Sequence, residues 1–303
     1  MNDMQRKRQQ RADKRAQQAD ELKECGLNIH WFPGHMAKTR RVIEENLKLI
    51  DVMVEMTDAR IPESGRNPLL AQVAGSKPCV LLLNKRDYAD SAATKLWLDY
   101  YRKQGITALA CDCRSGAGLE KLPALLKQAA GTRKYGGAIR VMAAGIPNSG
   151  KSSFINRMAG GKKAAVGDRP GVTRGKQWIA VKVAGKSGAE LEILDLPGIL
   201  TPKLEDKQAA LNLAYTGAVK DEVMDVHALA ASLGEVLAEH HADKLAARYN
   251  LTSVEPVGTD LLKAIAKARS MVIAGGELDT ERAALALLDD FRGCRIGKIT
   301  LEF

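Results

Sequence analysis

Residues 145–152 read Gly-Ile-Pro-Asn-Ser-Gly-Lys-Ser, which fits G-x-x-x-x-G-K-[ST] without a mismatch. The chemistry of that pattern is phosphate binding. Gly145 and Gly150 let the backbone curl so that successive N–H groups face one anion. A helix that starts at the loop adds its positive end. Lys151 reaches the β- and γ-phosphates, and the Ser152 hydroxyl can ligate Mg²⁺. Pro147, Asn148, Ser149 and Ser153 complete the lining.

A second stretch, Asn84-Lys85-Arg86-Asp87, has the types that read guanine. The Asp87 carboxylate can accept from N1–H and from the exocyclic amino group together. Adenine has no such donor pair, and a site built for hydrogen bonds rejects a base that leaves them unpaired. Asn84 would hold the loop and the Hoogsteen edge, and the Lys85 stem would cover the ring. The loop Cys111–Gly118 is expected to give backbone N–H groups to guanine O6 through Cys113, Arg114 and Ser115. Further along, Thr173 lies in a Pro-Gly-Val-Thr segment of the kind that closes on Mg²⁺ and the γ-phosphate. Asp195-Leu-Pro-Gly198 is D-x-x-G, in which Asp195 holds Mg²⁺ through water and the Gly198 N–H senses the γ-phosphate.

These residues need strands that end in loops. Short apolar runs meet the need at 51–57, 79–83, 106–110 and 138–144, and each ends at a motif. Helical patterns lie before and between them, at 36–50, around 68–73, at about 91–104 and at 119–130. Residues 177–183 and 191–194 flank a turn at Gly185–Gly188 as a hairpin. Gly160–Gly175 is glycine-rich and basic and is expected to move. From residue 203 the patterns are helical. Ser232-Leu-Gly-Glu235 reads as a capping box. Leu261, Ile265, Ala268 and Val272 form an apolar stripe, and Asp279 is placed to cap a helix carrying Leu285, Leu288 and Phe291.

The domains expected are a charged extension (1–27), an α/β nucleotide domain (28–202) with a mostly parallel sheet, and a small all-α domain (203–303). The guanine loops precede the phosphate loop, the reverse of the usual order. The same sheet can form if its ends are joined and the chain is opened elsewhere.

The hydrophobic fraction is 45% and the net charge +10. Residues 101–200 hold 17 Lys/Arg against 6 Asp/Glu, and residues 201–303 hold 12 against 16. The basic excess surrounds the phosphate loop and exceeds what a nucleotide needs, so it suggests RNA, or a soluble basic surface with no partner. Five scattered cysteines argue for a reducing, cytoplasmic setting. Cys111 and Cys113 read as buried thiols at a strand end. No apolar run approaches 18 residues, and the charged first residues are not expected to act as a secretory signal.

The permuted order, Trp31-Phe-Pro-Gly-His-Met36, Asp58-Ala-Arg60, the phosphate loop, D-x-x-G, and Gly276-Glu-Leu-Asp279 through Gly297-Lys-Ile-Thr300 together resemble the ribosome biogenesis GTPase A family. The resemblance spans residues 28–303. It implies a circularly permuted Ras-like GTPase that uses GTP, GDP and Mg²⁺, works slowly alone, and helps mature the large ribosomal subunit. The implied partners are pre-ribosomal RNA and protein, bound by a monomer and released on hydrolysis. It also implies a part in hydrolysis for His35, because Ile199 stands where many GTPases carry a water-orienting Gln. Read alone, a histidine placed like His35, where turn becomes helix, is more often structural than catalytic. Asn148 resembles the asparagine of potassium-activated GTPases; it either holds K⁺ or shapes the loop. The competing functional reading is an RNA-binding assembly scaffold in which GTP only orders the switch loops.

Overall fold

The computed structural model describes residues 40–41, 43–131, 137–160, 177–182, 190–195, 206–219, 221–254 and 258–302. Its contacts divide the described residues into two compact units, one ending at Asp195 and joined by residues 300–302, the other running from Asp206 to Ile299. The all-α unit therefore stops at Ile299, and the residues after it belong to the α/β unit.

The first unit is a six-stranded sheet: β1 (Val52–Asp58), β2 (Cys79–Asn84), β3 (Thr107–Ala110), β4 (Ile139–Gly145), β5 (Gln177–Lys182) and β6 (Glu190–Asp195). The spatial order is β3-β2-β1-β4-β6-β5. All neighbours are parallel except β5 and β6, which are antiparallel. Parallel strands are covered on both faces, which explains their unbroken apolar runs. All seven residues of β1 are buried.

Side chains alternate between two cores. Val52, Val54, Met56, Val80, Leu82, Val141 and Ala143 pack with Leu122 and Leu126 of α3 (Leu122–Ala130) and with Phe154 and Ile155 of α4 (Lys151–Met158). On the other face, Met53 and Met142 pack with Ile43, Leu47 and with Leu70 of α1 (Pro68–Ala74). Leu81 and Leu83 meet Tyr101 of α2 (Ser91–Lys103). Glu55 is a buried charge in the middle of β1. Its carboxylate accepts from Arg66 at 3.2 Å and from the Asn67 N–H at 2.9 Å.

The chain runs from β1 outward through β2 to β3, then crosses back to β4 on the other side of β1. The sheet therefore switches direction between β1 and β4. In open parallel sheets a crevice forms at such a point, beyond the carboxyl ends of the strands. The two neighbouring strand ends here are Asp58 and Gly145.

The second unit holds α5 (Lys207–Tyr215), α6 (Val226–His240), α7 (Ala242–Tyr249), α8 (Gly258–Ala268) and α9 (Thr280–Arg292). Two expectations are corrected. Ser232 does not cap a helix. Asp225 does, accepting from the Ala228 N–H at 2.9 Å, and Ser232 lies inside α6 with its hydroxyl 2.7 Å from Tyr215 Oη. The S-x-x-E spacing also puts two residues on one helix face, so it is not unique to a helix start. The apolar stripes are also less complete than expected. Leu261, Ile265, Leu288 and Phe291 are buried, but α8 stops at Ala268, and Val272 (55%) and Leu285 (51%) are exposed. Asp279 caps α9 as expected, accepting from the Arg282 N–H. Among the described residues no helix is long and apolar enough to cross a membrane.

Candidate functional site: a guanine nucleotide cleft

The phosphate loop leaves β4 at Gly145 and enters α4 at Lys151. Asn148 and Gly150 take positive φ, 59° and 93°. At Gly150 a Cβ would fall 2.0 Å from Asn84 Nδ2, and at Gly145 it would fall 2.5 Å from the Met56 carbonyl. Both glycines are thus required by close approach, and Gly150 by its positive φ as well. The Ser149 hydroxyl donates to the Ile146 carbonyl at 2.9 Å and closes the curl.

Asn84 joins the two halves of the site. Its side-chain amide donates to the Ser149 carbonyl at 2.8 Å, and its side-chain oxygen accepts from the Cys113 N–H at 3.0 Å. One buried side chain thereby ties the Asn84–Asp87 stretch to the phosphate loop and to the Cys111–Gly118 loop. A second tie runs from Arg157, at the end of α4, to the Cys113 carbonyl at 3.4 Å.

Lys85 takes φ 58°, uncommon for a residue with a side chain, and its ammonium lies 2.9 Å from Asp58 Oδ2. Asp58 also receives Arg60, through Nε at 3.0 Å and Nη2 at 2.8 Å. Burial alone would push the Asp58 carboxyl up, but the Arg60 and Lys85 charges outweigh it and hold it well below the usual carboxylate range. Burial lowers Lys85, with the Arg60 and Arg114 charges adding to it against the pull of Asp58. Asp87 shifts the other way. Burial raises its pKa, and the neighbouring Asp112 carboxylate adds to the rise.

The Cys111–Gly118 loop is set by Asp112, a residue sequence reasoning passed over. Its carboxylate accepts from the Arg114 N–H at 2.8 Å and the Ser115 N–H at 3.2 Å. The signal was present: an Asp opening a turn that ends in Gly can bind the backbone two and three residues on. Arg114 Nη1 also donates to Tyr88 Oη at 3.0 Å. Cys111 and Cys113 are buried with their sulfurs 3.8 Å apart, and the Cys111 hydrogen bond and burial push the Cys113 thiol far up. Such a thiol packs and does not react.

At the ends of β4 and β6, Lys151 Nζ lies 3.4 Å from Asp195 Oδ1, both residues being less than a tenth exposed. The cation expected at the phosphates and the carboxylate expected near Mg²⁺ are therefore neighbours. Ser152 opens α4 beside them. A hydroxyl and a carboxylate are hard oxygen donors, the kind Mg²⁺ prefers, so the residues fit the ion. His35, Thr173, Gly198 and Ile199 lie outside the described residues.

The geometry joins the phosphate loop to the Asn84–Asp87 stretch and the Cys111–Gly118 loop through one buried side chain. The family model for the 50S ribosome-binding GTPase matches residues 140–254, from the phosphate-loop strand onward. Ribosome biogenesis GTPase A of Priestia megaterium is 44% identical over 286 residues, covering 91% of this chain and 97% of the relative. The chain belongs to the ribosome biogenesis GTPase A family. Two solved structures extend the likeness to the fold. GDP-bound TM YlqF superposes with a TM-score of 0.63 at 26% identity, covering 86% of this chain and 97% of that one. GNP-bound YlqF from T. maritima gives 0.60 at 26% identity, covering 88% and 97%. As a member of the ribosome biogenesis GTPase A family, this chain binds and hydrolyses GTP and acts in ribosome assembly.

Proposed function

We propose that the chain uses GTP to time its stay on a precursor of the large ribosomal subunit: it binds ribosomal RNA and protein with GTP in the cleft and leaves after hydrolysis. The observation that carries this reading is the bridge made by Asn84. Through it, a change at the phosphates is felt by the loops that hold the base, and so by the whole cleft. The basic excess of residues 101–200 supports an RNA partner, and the relatives' name supports a ribosomal one.

In this reading Asp87 accepts from guanine N1–H and the amino group, and the Lys85 stem covers the ring. The Cys113-Arg114-Ser115 backbone faces O6, with Asp112 fixing its shape. Gly145 through Ser153 cradle the phosphates, and Lys151 neutralises charge that grows between the β- and γ-phosphates. Ser152, Thr173 and Asp195 hold Mg²⁺, which when bound neutralises phosphate charge. Asn148 holds K⁺ or shapes the loop. The Gly198 N–H senses the γ-phosphate, and His35 orients the attacking water. The enzyme works in the cytoplasm as a monomer and is slow until the ribosomal particle orders its loops.

Co-sedimentation with large ribosomal subunits tests the reading. More chain should pellet with a non-hydrolysable GTP analogue than with GDP. Equal pelleting would remove release on hydrolysis and favour the scaffold. Single-turnover hydrolysis should be faster with subunits, and His35→Ala should lose that gain. A stimulated rate left intact would end the role given to His35.

A further inference from the structure

Residues 300–302 form a strap on the α/β unit. The Leu301 N–H donates to the Arg60 carbonyl at 2.8 Å. Glu302 accepts from two successive backbone N–H groups, Glu63 at 2.7 Å and Ser64 at 2.9 Å. Trp97 Nε1 donates to the Glu302 carbonyl at 3.1 Å. The fully buried Thr300 hydroxyl accepts from the Asp90 N–H at 3.1 Å. The partners of the Glu302 carboxylate lie 238 and 239 residues away in sequence.

Two of these partners, Arg60 and Asp90, belong to the segments that flank the Asn84–Asp87 stretch. Asp90 is the N-cap of α2, its carboxylate accepting from Ala92 and Ala93. In a capping box the third helical residue would satisfy the N-cap's own N–H. Here that residue is Ala93, which has no acceptor, and the Thr300 hydroxyl takes its place. Arg60 holds Asp58, Asp58 holds Lys85, and the Ala59 N–H donates to the Asn84 carbonyl at 2.7 Å. The Arg60 guanidinium also lies 5.5 Å from the centre of the Tyr88 ring. Asp87 therefore sits in a short stretch whose entry is fixed by the Asp58–Arg60 loop and whose exit is fixed at Asp90. Residues 300–302 bolt the two anchors together.

We infer that Thr300 and Glu302 are positioning residues for guanine specificity: they hold Asp87 so that both carboxylate oxygens meet the base. Hydrogen bonds weaken steeply when misaligned, so a loosened Asp87 would lose the second contact before it lost binding. The inference rests on Asp87 being the guanine reader.

Inosine diphosphate separates the contacts, because its base keeps N1–H and lacks the amino group. The full-length chain should prefer GDP over inosine diphosphate by about tenfold or more, the worth of one hydrogen bond to a charged group. Thr300→Val with Glu302→Ala should cut that preference by about fivefold, leaving inosine diphosphate affinity within about twofold and the melting temperature of the nucleotide domain above the assay temperature. Thr300→Ser, which keeps the hydroxyl, should retain the preference. If the variant keeps the parent's ratio, or loses both nucleotides in parallel, the strap is merely structural and the inference is overturned. If the parent itself shows no preference, the role of Asp87 fails first and the inference with it.

Discussion

At the scale of the residue, the site depends on fits with no slack. Gly150 combines a φ of 93° with a place where a Cβ would collide with Asn84. Gly150→Ala should therefore push Asn84 off the Ser149 carbonyl and weaken GDP binding by about a hundredfold, the loss of two buried hydrogen bonds plus strain. Calorimetric titration checks it. Two carboxylates give opposite pH behaviour. Asp58 has its folded pKa lowered, so the stability it contributes is full above its ordinary value of 3.8 and is lost as pH falls through the depressed one. Asp87 has its folded pKa raised by burial, so the folded chain holds that proton more tightly than the unfolded one. Its contribution to stability therefore falls as pH rises through 3.8 toward the raised value. A protonated Asp87 cannot accept from both guanine donors, so GDP affinity should fall with acid at a pH above that expected of an ordinary Asp. Titrations of GDP and inosine diphosphate across this range should show the larger loss for GDP.

At the scale of the element, the strands and the loops that follow them were legible in the sequence because their signals are local. An apolar run followed by a glycine-rich or Asn-Lys turn fixes both a strand and what stands at its end. The cross-links were not legible. Asn84 reads as a base contact in its own motif, yet its side-chain bonds go to other loops, and no local pattern encodes a partner at Ser149. The Thr300–Glu302 strap is hidden for the same reason. The capping box at Ser232 failed because a helix face and a helix start share one spacing, and only packing chose Asp225. In the all-α unit, Asp290 of α9 accepts from Arg248 at 2.7 Å and from Tyr249 at 3.0 Å, both on α7. Removing it leaves a buried hydroxyl and an arginine without their acceptor. Asp290→Ala should lower stability by about 3 kcal/mol, against about 1 kcal/mol for removing the cap with Asp225→Ala. Urea denaturation followed by circular dichroism distinguishes the two; equal losses would mean that the α7–α9 link is idle.

At the scale of the whole molecule, the swapped order of motifs leaves the fold's logic intact. β1 and β4 meet at the switch point, and the Asn84–Asp87 stretch is tied to the phosphate loop beside it although Asn84 and Ser149 are 65 residues apart. The central claim is that one ligand spans both. The measurement that tests it most directly is the affinity of an Asp87→Asn chain for xanthosine diphosphate and GDP. Xanthine carries an oxygen where guanine carries the amino group, so an amide donor suits it and a carboxylate does not. The account predicts that Asp87→Asn loses GDP by about a hundredfold and gains xanthosine diphosphate by a similar factor. GDP bound by Asp87→Asn as tightly as by the parent would contradict it, since the base would then lie away from Asp87.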